Sequence, residues 1–280
     1  MSLETLTPPT SHVSAFVRRH PLRTYLVIFT VFGQPLAFLP LIVSRLYGVQ
    51  LDTDLVLIVP TLLFILLPAL LITLHVRGRD GLRALIRQMV RFDVSPRWYL
   101  LPLLVMPVLS VAATFALPAD GLHPATLATV YLTGFLPALM VTFLTTNWWE
   151  ETLWTGFFQG TLQERGHSAV RAALITTPFF ALQHIALGPT GTVAQWLTWL
   201  AILTVAIIPV RFLFAWLYNR TGSVALVGLT HAAANAIGAT LIPRLYHQSG
   251  DGILPLAILG LLALAITRGR LGLGPTLDAH

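Results

Sequence analysis

The sequence predicts an all-α polytopic membrane bundle of about eight transmembrane helices with both termini cytoplasmic, and three observations carry that reading. The chain of 280 residues is 55% hydrophobic and only 10% charged, with a mean hydropathy of +0.77, where a soluble domain carries about 25% charged residues. Apolar runs of about 20 residues, the length that crosses a hydrocarbon core, recur near 24–44, 54–76, 98–117, 126–149, 170–187, 193–217, 223–242 and 253–267. The third observation is arginine placement. With the N-terminus inside, Arg18, Arg19, Arg23, Arg77, Arg79, Arg83, Arg87, Arg91, Arg97, Arg165, Arg171, Arg220, Arg268 and Arg270 all fall on the cytoplasmic side. Only Arg45 and Arg244 fall outside, and Arg211 lies within a span. That asymmetry satisfies the positive-inside rule.

Each segment follows from this pattern. Residues 1–23 read as a cytoplasmic tail. The first apolar run reads as a retained anchor, because it is too long for a signal peptide and Ser44-Arg45-Leu46 lacks a small-residue cleavage pattern. Between Arg77 and Arg97, Leu82, Leu85, Ile86, Met89, Val90 and Phe92 recur among arginines at near-helical spacing, as in an amphipathic helix lying at the interface. Such a helix would recruit an anionic lipid or an acidic substrate tail, or would serve only topology and headgroup contact; the second reading is the simpler. The eighth run is the shortest. The first 15 residues and the tail over 268–280 read as loose ends, leaving one transmembrane domain over 24–267.

Composition also excludes classes of function. With no cysteine, there are no disulfides, thiolate metal sites or cysteine nucleophiles. The net charge of +6 is explained by topology, so nucleic acid is not an expected partner. Arginine entirely replaces lysine, which reads as genome composition, and the expected location is a bacterial cell membrane, with membrane lipid as surroundings.

Three polar constellations interrupt the apolar runs. Only four glutamates occur in the chain, and Glu150 and Glu151 are adjacent in Leu144-Thr-Thr-Asn-Trp-Trp-Glu-Glu-Thr-Leu-Trp. A charged group at membrane depth costs roughly 3 kcal/mol on insertion scales. Helical neighbours point about 100° apart, so the pair would face different partners: a base and a supporting carboxylate, or ordinary helix-end charges in water. Phe180-Ala-Leu-Gln-His184 places Phe180 and His184 one turn apart, and His231-Ala-Ala-Ala-Asn235 does the same for His231 and Asn235. Either histidine could simply bond a neighbouring helix, and the alanines of the last segment suit a close-packed seam. Taken together, a carboxylate pair, two histidines and an asparagine on three spans supply a base near a water and donors for an oxyanion, the inventory of amide hydrolysis.

Here the chain resembles the CAAX-processing and bacteriocin-immunity (CPBP, or Abi) family of intramembrane endopeptidases. The family pattern of Glu-Glu-x-x-x-Arg, Phe-x-x-x-His and His-x-x-x-Asn/Asp appears in order as Glu150-Glu151-Thr-Leu-Trp-Thr155, Phe180…His184 and His231…Asn235. Trp154, Gly156-Phe157 and Arg220-Thr-Gly-Ser223 agree as flanking text, and the match covers roughly 144–240, the expected catalytic core. The resemblance implies that Glu150 activates water with help from His184, that His231 and Asn235 stabilise the oxyanion, and that Glu151 and Phe180 support them. One departure matters: Thr155 stands where the family has arginine. Glu151 then needs another partner, and Arg211 and Arg165 are the candidates.

The expected substrate is a peptide or protein, with a lipidated tail open. A divalent metal such as zinc is the alternative to a glutamate mechanism, with Glu150, His184 and His231 as three ligands and water as the fourth; no His-Glu-x-x-His is present. Asp52, Asp54, Asp120 and Asp251 fall in expected loops, and Ser223 lacks a Gly-x-Ser-x-Gly context. A non-catalytic member acting in bacteriocin immunity or as a membrane scaffold is the alternative function. A small-solute transporter ranks third, because no internal symmetry appears.

Overall fold

The computed structural model describes residues 12–49, 58–114, 124–188, 192–246 and 252–273. Among these the fold is helical throughout, with no strand. Nine helices follow in order: α1 His12–Arg19, α2 Pro21–Tyr47, α3 Ile58–Met89, α4 Pro96–Ala112, α5 Ala125–Glu164, α6 Ala169–Gln183, α7 Val193–Thr221, α8 Val224–Tyr246 and α9 Ile253–Ile266. Five of them, α2, α3, α5, α7 and α8, are long and apolar enough to cross a membrane, while α4, α6 and α9 are shorter apolar helices. Each apolar run read from the sequence coincides with one of these eight. Asp52, Asp54, Asp120 and Asp251 lie outside the described residues, as do 1–11 and 274–280 of the expected loose ends.

The centre of the bundle is α8. Its composition explains why: Val224–Ala236 is built largely of Ala, Gly and Val, small residues that let backbones approach where no water drives association. It packs on α5 along most of its length and also meets α3, α4, α7 and α9, while α6 and α9 pack on α7. By contrast α2 is peripheral, with Val27, Val31 and Phe32 facing outward.

Prolines shape the helices in a regular way. Five wide π-helical turns end two residues before a proline: Phe29–Gly33 before Pro35, Thr61–Leu66 before Pro68, Leu101–Val105 before Pro107, Tyr131–Phe135 before Pro137 and Ile237–Leu241 before Pro243. Proline donates no hydrogen bond and its ring crowds the carbonyl four residues back, so widening the turn makes room. Side chains take up two of the affected carbonyls: Tyr25 donates to Phe64 O at 3.4 Å and Tyr131 to Leu103 O at 2.6 Å, the re-satisfaction a water-free interior requires. Two further π-helical stretches, Phe143–Asn147 and Thr152–Gln159, have no such proline, and they bracket the turn Trp148–Glu151.

The arginine-rich connections gather at one end. Arg165 donates to Arg19 O, Arg77 bridges Glu164 at 2.5 Å, and the Ser223 hydroxyl donates to Arg91 O at 2.5 Å. Arg244 lies against Gly134, toward the other ends of α8 and α5.

Three expectations are corrected. The fourth span does not end near 149: α5 runs on to Glu164, and residues 151–162 are all buried, so the glutamates are interior rather than helix-end charges. The interfacial helix does not reach Arg97. It is the second half of α3, set off by Gly78 at φ 68° and ψ −167°, and it stops at Met89 ahead of Pro96. Its Leu85 is buried against α5 near Gly156. Finally, the chain does not leave the bundle at Arg268; it turns back, buries Leu271 completely and gives Leu271 O to the Asn219 amide at 2.9 Å.

Gly78 occupies a backbone region nearly closed to other residues, so Gly78→Val is expected to lower stability by about 1–3 kcal/mol, measured by thermal unfolding in detergent. An unchanged midpoint would show that the break tolerates a side chain.

Candidate functional site

The site forms where α5, α6, α7 and α8 meet. Its first requirement is close approach of α8 to α5, and Gly228 provides it: a Cβ there would lie 3.0 Å from Trp148 Cα and 3.2 Å from Asn147 O. One turn further along α8, His231 reaches both glutamates.

Glu151 is fully buried and saturated with donors. Its Oε2 accepts from Arg211 Nη1 at 3.0 Å and from the Thr155 hydroxyl at 2.5 Å, and its Oε1 accepts from His231 Nδ1 at 3.0 Å. Arg211, itself at 0% exposure, also donates through Nη2 to Trp154 O, Thr155 Oγ1 and Gln159 Oε1 at 3.1–3.2 Å. Its guanidinium lies 5.4 Å from the Phe180 ring and 5.5 Å from Phe214. A buried charge is tolerated only when paired and hydrogen-bonded, and here α7 brings the cation that motif one lacks. Thr155 takes part, accepting from Arg211 and donating to Glu151. Arg165, the other candidate partner, is exposed at the arginine-rich end and does not contribute.

Glu150, also buried, turns to a different set, as expected of helical neighbours. Asn147 Nδ2 donates to its Oε2 at 3.1 Å and Gln183 Nε2 donates to its Oε1. Each amide is oriented from behind: Asn235 Nδ2 donates to Asn147 Oδ1 at 3.1 Å, and Trp154 Nε1 donates to Gln183 Oε1. His231 Nδ1 is 3.7 Å from Glu150 Oε2. A carboxylate has about four lone-pair positions, so two amide bonds leave Glu150 room to accept from a further donor.

His184 caps the end of α6, half-buried, and its Nδ1 bonds Phe180 O at 3.0 Å. A carbonyl only accepts, so this nitrogen carries the proton and the neutral ring keeps Nε2 as an acceptor. Phe180 stands between the imidazoles and the guanidinium, with ring centroids 5.0 Å from His184 and 5.6 Å from His231.

The structure therefore brings Glu150, Glu151, Phe180, His184, Arg211, His231 and Asn235 into one neighbourhood. Asn147, Gln183 and Thr155 belong to it as well and were not assigned roles from sequence. Their signal was spacing: Asn147 lies one turn before Glu150, Gln183 one turn after Phe180, and Thr155 one turn after Glu151. Among the described residues no group of three or more His, Cys, Asp or Glu side chains is placed to hold a metal ion.

With the geometry in place, comparison with family models adds a match. Residues 132–237 fit the family model of the type II CAAX prenyl endopeptidase, Rce1-like. Over this segment the chain is similar to that family. The Rce1-like segment holds α5 from its second turn, all of α6 and α7, and α8 as far as Asn235 and Ile237, which includes every residue of the site. No curated protein matches the chain.

Removing one partner of the ion pair leaves an uncompensated buried charge, so Arg211→Leu is expected to cost about 3–5 kcal/mol. Arg211→Leu combined with Glu151→Leu should recover most of that loss. Unfolding midpoints of both variants in detergent test this; simple additivity would count against the pairing.

Proposed function

We propose that the protein is a membrane endopeptidase of CAAX type that hydrolyses a peptide bond with a glutamate-activated water. The observation that carries this reading is the convergence, within an Rce1-like segment, of a carboxylate with spare acceptor capacity and two imidazoles whose Nε2 atoms have no hydrogen-bond partner among the described residues.

In this mechanism a water lies between Glu150 and His184 Nε2. Glu150 takes one proton as the water oxygen bonds to the scissile carbonyl carbon, and the carbonyl π pair moves to oxygen. Asn235 keeps a second amide N–H beyond the one given to Asn147, and His231, acting as the imidazolium that gives its Nδ1–H to Glu151, keeps an Nε2–H; these two donors face the resulting oxyanion. Collapse of the tetrahedral intermediate breaks the C–N bond, and Glu150 returns its proton to the leaving amine. Glu151 and Arg211 do not touch substrate; they position His231 and hold α5, α7 and α8 in register. The substrate class is a peptide or protein, and the family description makes a prenylated C-terminal tail the first to try. The site lies about 12 Å along α8 from its Ser223 end, and the arginine count makes that end cytoplasmic.

Purified protein in detergent, offered peptides with a prenylated cysteine near the C-terminus, should cleave them. Glu150→Gln should reduce the rate by about 10²–10⁴, the usual contribution of a positioned general base, and His184→Ala should also abolish turnover, both with the unfolding midpoint preserved. Cleavage at wild-type rate in both variants would remove the mechanism, and no cleavage by the wild-type protein would leave the non-catalytic scaffold reading in its place.

A further inference from the structure

A second built feature lies at the arginine-rich end, away from the glutamates. Between the start of α4, the end of α7 and the end of α9 is a cavity of about 420 Å³, lined chiefly by Arg97, Trp98, Trp216, Arg220, Ile266 and Thr267. Two arginines therefore line one space. Neither has a carboxylate partner among the described residues; the nearby acid, Asp93, is engaged with Arg91 at 3.7 Å.

The walls are organised. Trp98 and Trp216 meet edge-on at 5.1 Å between centroids, and the Arg97 guanidinium lies 5.8 Å from the Trp98 ring. The segment carrying Arg97 is held at both ends, by Ser223 bonding Arg91 O and by Tyr99 bonding Phe92 O at 2.7 Å. Arg220 packs its stem against Gly272, in the turn that folds back after α9. At the rim Ile266 is 79% exposed. Tryptophans favour the depth of lipid headgroups, and cavities of about 300–1,000 Å³ accommodate small-molecule groups.

We propose that this cavity binds the headgroup of an anionic phospholipid: the two arginines take the phosphate, the tryptophan pair flanks the glycerol region, and Ile266 meets the acyl chain. The charge matches an anionic inner leaflet, and the apolar rim distinguishes the occupant from a free anion. The proposal does not depend on the peptidase reading, since it shares no residue with that site.

The test uses the full-length protein in detergent, exchanged against phosphatidylglycerol or phosphatidylcholine, with retained lipid measured by native mass spectrometry. Phosphatidylglycerol should be retained at least tenfold more strongly than phosphatidylcholine. Arg97→Gln and Arg220→Gln should each weaken retention about fivefold, the effect of one arginine near an anionic headgroup. Arg83→Gln, an exposed arginine paired with Asp80 on α3, should leave it unchanged. Equal retention of the two lipids, or an equal loss in Arg83→Gln, overturns the proposal. Displacement of phosphatidylglycerol by millimolar inorganic phosphate also overturns it, in favour of a free-anion site. Arg97 is exposed, so Arg97→Gln keeps the reading available if the Arg220 variant fails to fold.

Discussion

The arrangement of the bundle depends on one constraint: Glu151 is a carboxylate with no exposure, and an ion in that position needs a counter-charge and a full set of donors. Arg211 supplies the charge from α7, His231 supplies a donor from α8, and Thr155 closes the set from the next turn of α5. These bonds fix the relative depth and rotation of three helices, which apolar packing in lipid leaves loosely specified because lipid and side chain are equally apolar. Gly228 then sets the spacing between α5 and α8. The adjacent Glu150 inherits a defined position without spending its own acceptor capacity on a cation.

Two kinds of polar group thus divide the work. The charged network around Glu151 is closed, each carboxylate oxygen meeting donors from the protein. The neutral network around Glu150, built from Asn147, Gln183, Asn235 and Trp154, orients a carboxylate and leaves it room. The two π-helical stretches without a following proline lie on either side of this pair. A wide turn changes the angle between residues on either side of it, so Asn147 below and Thr155 above can address different glutamates on the same helix.

Much of this was legible in the amino-acid sequence, for identifiable reasons. Eight apolar runs stand out by their hydropathy, and all eight correspond to helices, five of them long and apolar enough to cross a membrane. Glu150, Glu151, His184, His231 and Arg211 stand out because ionisable groups are scarce in such runs, and Arg211 was marked by its place within one. Asn147, Gln183 and Thr155 were not assigned roles: a neutral amide or hydroxyl disturbs hydropathy little, and which partner it takes is decided by helices distant in sequence. The extent of α5 was hidden because Thr152–Gln159 mixes polar and apolar residues, and only the surrounding helices reveal that all of them are buried. The break within α3 rests on a single backbone conformation at Gly78 that hydrophobic spacing does not report.

The cation that neutralises Glu151 lies 60 residues downstream of it, and this separation bears on biosynthesis. When α5 leaves the ribosome, Glu150 and Glu151 enter the translocation machinery with no counter-ion beside them, and α6 brings to them the Gln183 amide and the His184 imidazole but no cation, its Arg171 being exposed at the far end. Neutrality arrives with α7 and is completed by α8. The nascent helices therefore have reason to remain together, sheltered from bulk lipid, until all four can dock, so membrane insertion and assembly of this polar centre become a single cooperative event.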